Sequence, residues 1–92
     1  PTEIESVISL YEKVKDVAVV GQQDRKWGEI VCAFLVLKKD NDFDEISFYK
    51  WIRKKIAKYK QPKKIIIIKQ EDMPINSTGK IIHSNLRKLL KN

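Results

Sequence analysis

The chain lacks most of the residues from which metal centres and disulfide frameworks are built. One cysteine, Cys32, leaves no partner for an intrachain disulfide, and one histidine, His83, leaves no His/Cys cluster to hold a metal, so no metal site is expected. No apolar run approaches the about 18 residues that a membrane-spanning helix needs. No internal repeat, low-complexity tract, linker or signal peptide is visible, and with the single cysteine this fits a cytoplasmic, reducing setting. The chain opens at Pro1, without a methionine, and enters a helix at once. An excised domain, with any upstream targeting signal out of view, is therefore the expectation.

What is present is an ordinary globular composition, 42% hydrophobic and 34% charged. A domain of 92 residues buries roughly 60 to 65% of its unfolded surface, enough for a core but little for a private active-site cavity. A partner surface is expected. The net charge of +7 points to a polyanionic partner: nucleic acid, an anionic membrane face or a phosphorylated small molecule.

Along the chain, Thr2 and Glu5 have the spacing of a capping box, and Ile4, Val7, Ile8, Tyr11 and Val14 share one helical face, which predicts a helix over 2–13. Val17 to Val20 reads as a short strand closed by Gly21, with a polar loop from Gln22 to Gly28. Ile30 to Leu37, apolar at nearly every position, reads as a central strand covered on both faces, with Cys32 a small buried hydrophobe. Asp42 or Asp44 caps a second helix whose apolar face carries Phe48, Ile52, Ile56 and Tyr59, and whose basic end holds Arg53 to Lys55, Lys58 and Lys60 before Pro62. Ile65 to Ile68 is a third strand, and Ile82, Leu86, Leu89 and Leu90 face one way on a last helix. The order α-β-β-α-β-loop-α predicts an α+β fold, a three-stranded sheet with helices packed on it.

The loop Pro74-Ile75-Asn76-Ser77-Thr78-Gly79-Lys80 stands out. Glycine tolerates positive φ and close approach, and the lysine after it supplies a long, mobile cation suited to an anion or a developing negative charge. The plain alternative is a connector between strand and helix. A P-loop is excluded twice, by Pro74 at the first glycine position and by Ile81 where Ser or Thr belongs. Asn76-Ser77-Thr78 matches a glycosylation acceptor, which has meaning only in a secreted protein. His83 reads as a surface or capping residue, and Trp27 and Trp51 as packing residues.

Taken together, Pro1 to Glu5, Ala18-Val19-Val20-Gly21 with Trp27-Gly28-Glu29, Tyr59-Lys60-Gln61-Pro62, and Pro74 to Lys80 resemble, in order and spacing, the C-terminal domain of the adenylate-forming superfamily of acyl-CoA ligases, peptide-synthetase adenylation domains and luciferases. The resemblance implies a single lid domain, 1–92, of a larger enzyme whose N-terminal ATP- and acyl-binding domain is not in this sequence. It implies that Lys80 is catalytic in acyl-adenylate formation, between substrate carboxylate and nucleotide α-phosphate, with Thr78 and Gly79 in the nucleotide loop. It further implies that the domain then rotates to present a CoA surface, for which Arg53, Lys60 and Lys63 are the candidates. ATP, Mg²⁺ and CoA are the implied cofactor and co-substrates, ATP and the metal being held mainly by the N-terminal domain.

Ile75, Gln61 and Ile82-His83-Ser84 depart from patterns frequent in that family, where basic residues often stand. No aspartate follows Lys80, which favours a CoA ligase over a peptide-synthetase module. The competing reading from composition is a basic nucleic-acid-binding module, for which the strands offer little aromatic platform beyond Phe34.

Overall fold

A computed structural model describes residues 2–90. The elements are α1 (Thr2–Ile8), β1 (Val14–Asp24), β2 (Gly28–Leu37), α2 (Glu45–Ile52), β3 (Lys64–Ile67) and α3 (His83–Leu89), with short 3₁₀ turns at Lys58–Lys60 and Gln70–Asp72. The sheet order is β1-β2-β3, the first pair antiparallel and the second parallel. The expected α+β architecture, with β2 as the central strand, is observed.

Strand alternation divides the interior in two. Val17 and Val19 of β1, with Ala33 and Leu35 of β2, pack beneath α1 and α2 with Ile4, Ile8, Phe48 and Ile52. Ala18 and Val20, with Cys32, Phe34 and Val36, face the other way onto Met73 and Leu86 of the α3 side. Because both faces of the sheet are covered, β2 must be apolar on both, and its continuous run records that. Among the described residues both outer strands have an edge free of strand partners; β3 is short and lysine-flanked, features that discourage further pairing.

Several expected boundaries move. The first helix ends at Ile8 rather than residue 13, because Tyr11 turns into an aromatic cluster with Phe43, Phe48 and Trp51 and meets Phe48 edge-on at 5.2 Å. Thr2 and Glu5 do not form the expected capping box, since the Glu5 carboxylate accepts from the Val19 amide at 2.7 Å instead. β1 is 11 residues long and continues through Gly21, so most of the expected loop is strand: Gln22 and Gln23 pair with Ile30 and Glu29. α2 stops at Ile52, and Tyr59 is 78% exposed rather than on the buried face. Asp44 is its cap, accepting from both the amide and the hydroxyl of Ser47, which holds its carboxyl below the usual aspartate value. On α3, Leu86 is buried and Leu90 packs beside it, while Leu89 is 61% exposed. Among the described residues no helix is long and apolar enough to cross a membrane.

Candidate functional site

The loop from Pro74 to Lys80 is closed by its own backbone. Met73, buried beside Leu86, anchors its entrance. The Ile82 amide donates to the Pro74 carbonyl at 2.8 Å, Ile75 and Ile81 form an antiparallel bridge, and the Asn76 amide donates to the Lys80 carbonyl at 2.9 Å. The Asn76 side chain is the hub of the tip. Its Oδ1 accepts from the Thr78 amide at 3.0 Å, the Thr78 hydroxyl at 2.7 Å and the Lys80 amide at 2.9 Å. Gly79 completes the turn at φ +83, a conformation that L side chains rarely adopt. Lys80 emerges exposed, and its ammonium has no hydrogen-bond or ion-pair partner among the described residues.

The cations expected at a second face have different company. Lys60 Nζ lies 2.8 Å from Glu3 Oε1 on α1 and 5.8 Å from the Tyr59 ring centroid. The hydrogen bond to Glu3 raises the Lys60 pKa above the usual lysine value, and the same contact lowers that of Glu3. Lys63 lies over the indole of Trp27 at 4.3 Å, with Lys26 at 5.2 Å from the same ring. Arg53 lines a shallow groove of about 480 Å³ with Tyr49, Ile56, Ala57, Lys58 and Gln61. The three candidates thus share a region of sequence but contact different partners. The Tyr49 hydroxyl donates to the Pro62 carbonyl and the Lys63 amide to Val31, which fixes the Lys60–Lys63 segment against α2 and β2.

Trp27 belongs to this face, contrary to the expectation of packing. It is 58% exposed at the tip of the β1–β2 hairpin, where Asp24 accepts from the amides of Lys26 and Trp27 and Gly28 turns at φ +82. Its position between two strand runs was the signal that could have found it, since a hairpin tip is rarely core. Trp51 does pack, against Tyr11 and Phe48. His83 is also more than a surface residue: its Nε2 is 2.6 Å from Glu5 Oε2.

Residues 3–80 match the family described as AMP-binding enzyme C-terminal domain. The chain belongs to that family. The match ends on Lys80, the last residue of the closed loop. As an AMP-binding C-terminal domain, the chain is 45% identical over 87 residues to a 2-succinylbenzoate–CoA ligase of Listeria monocytogenes, covering 95% of this chain and 18% of that protein. It is 44% identical over 87 residues to a long-chain-fatty-acid–CoA ligase of Mycobacterium tuberculosis, covering 95% of this chain and 17% of that protein. Its fold matches ATP-bound MatB from Rhodopseudomonas palustris with a TM-score of 0.87 at 35% identity, over all of this chain and 18% of that one. The domain therefore spans less than a fifth of the length of these relatives.

Proposed function

We propose that this domain is the mobile C-terminal part of an ATP-dependent acid–CoA ligase and that Lys80 is its catalytic residue for acyl-adenylate formation. Membership of the AMP-binding C-terminal family supports the setting, as do relatives named as CoA ligases over the full length of the match. The observation that carries the role of Lys80 is a self-closed loop presenting a cation with no partner among the described residues. When a carboxylate attacks an α-phosphorus already surrounded by negative oxygens, a cation between the two lowers repulsion and stabilises the transition-state charge. Thr78 and Gly79 form the tip that approaches the nucleotide.

The acid, ATP and most of their pockets belong to an N-terminal domain in this reading. Among the described residues no group of three or more His, Cys, Asp or Glu side chains gathers to hold a metal. In this reading Mg²⁺ is held mainly by the N-terminal domain together with the nucleotide phosphates. For thioester formation Lys60, Lys63 and Arg53 are the residues that contact CoA. Trp27, with the ammonium groups of Lys26 and Lys63 both near its ring, adds an exposed aromatic surface suited to a phosphorylated nucleotide.

The test is Lys80→Ala in the full-length ligase, with the two half-reactions measured apart. Carboxylate-dependent ATP–pyrophosphate exchange should fall roughly 100- to 1000-fold, while thioester formation from supplied acyl-adenylate is spared. Equal losses in both would sink the proposal.

A further inference from the structure

We infer that Glu5 and His83 form a positioning pair for the Lys80 loop. The inference rests on the reading of Lys80 as the adenylation residue. α1 and α3 lie on opposite faces of the sheet, α1 over Ile4 and Ile8 and α3 over Leu86. Glu5 joins them around the edge of β1. Its Oε2 accepts from the Val19 amide at 2.7 Å, on the side of β1 away from β2, and lies 2.6 Å from His83 Nε2. One carboxylate oxygen thus ties three elements, α1, β1 and α3.

His83 sits where that tie reaches the loop. It is the first residue of α3, directly after Ile82, whose amide closes the stem on Pro74. The helix cap at Ile82 has no side-chain hydrogen bond of its own, so the imidazole is the side-chain tether at the start of α3. The Lys80 carbonyl and amide are both bound to Asn76, so movement of the stem carries the tip with it. A displaced α3 start therefore displaces Lys80, and small displacements of catalytic groups are costly in rate.

From α1 the group facing His83 is Glu5, from β1 it is the Val19 amide amid the apolar run Val17 to Val20, and on α3 itself Arg87 lies one turn on. Glu5 is the only carboxylate within ion-pair distance of the ring among the described residues. With imidazolium the contact is a charge-assisted hydrogen bond; with neutral imidazole it is a weaker neutral donor to carboxylate.

The experiment compares the full-length ligase with its Glu5→Gln, His83→Gln and His83→Arg variants, each checked for cooperative thermal unfolding. ATP–pyrophosphate exchange by Glu5→Gln should run roughly tenfold below the unmodified enzyme. His83→Gln should show the same loss. His83→Arg, which keeps a donor to the Glu5 carboxylate, should recover most of the exchange lost in His83→Gln. Thioester formation from supplied acyl-adenylate should not respond. Unchanged exchange in Glu5→Gln and His83→Gln, no recovery in His83→Arg, or equal losses in both half-reactions overturns the inference. Lys80→Ala is run beside these variants. If it spares exchange, the reading of Lys80 fails and takes this inference with it; if it abolishes exchange while the Glu5 and His83 variants do not, only the pair is refuted.

Discussion

The Pro74–Lys80 loop and the Trp27/Lys60/Lys63 face both present cations, yet they hold them in opposite ways. In the loop the backbone is heavily bonded, with Asn76 alone satisfying three donors, while the Lys80 ammonium is unpaired among the described residues. On the other face the ammonium groups are already engaged, Lys60 by Glu3 and Lys63 by Trp27. A cation delivered to a site built by another domain gains by arriving without a local partner to give up. Cations that wait for a mobile, multiply charged ligand lose little by resting on weak, exposed partners that exchange easily.

Replacing Lys80 by Ala gives the largest expected effect, the roughly 100- to 1000-fold loss in exchange given above. Next comes Asn76→Ala, which leaves the cation in place but frees the tip. It should lower exchange by about 10- to 100-fold with little change in Tm, and an unchanged rate would mean that loop order is irrelevant to delivery. On the other face, Lys63→Glu should raise the KM for CoA by roughly tenfold and leave exchange alone. Were exchange to fall instead, the division between the two regions would be wrong.

The smallest effect is expected for Glu3→Gln, which releases Lys60 and should lower the KM for CoA by about twofold. Its stability effect has a defined pH window. Glu3 has a folded pKa below the ordinary 4.5, so its contribution is present above that value and is lost as pH falls through the lower folded one. Lys60 is raised above 10.5, so its share is present below that value and lost as pH rises through the higher one. Thermal unfolding of the wild type and Glu3→Gln should therefore converge at both pH extremes; a constant difference would show that the pair is not the cause.

The sequence displays elements whose environment is uniform. β2 was legible because both of its faces are buried, so Ile30 to Leu37 is apolar throughout, and the loop was legible because Pro74, Gly79 and Lys80 are unusual in combination. Elements whose ends depend on distant partners were not. Gln22 and Gln23 look like loop residues, and only the register against Glu29 and Ile30 makes them strand. Tyr59 continues the spacing of Phe48 and Ile52, but the helix has already ended. Glu5 and His83 are 78 positions apart, and no local period links a residue of the first helix to one of the last.

The turn before Lys80 also has a handedness. At Gly79 the backbone takes φ +83, while a Cβ built there would meet nothing within 4 Å. The glycine is thus required by chirality and not by space, and the mirror-image amino acids, for which positive φ is the relaxed state, should fit where their natural counterparts are strained. A semisynthetic domain carrying D-alanine at Gly79 should keep the loop and stiffen it by narrowing the unfolded chain, whereas L-alanine should distort the turn that aims Lys80.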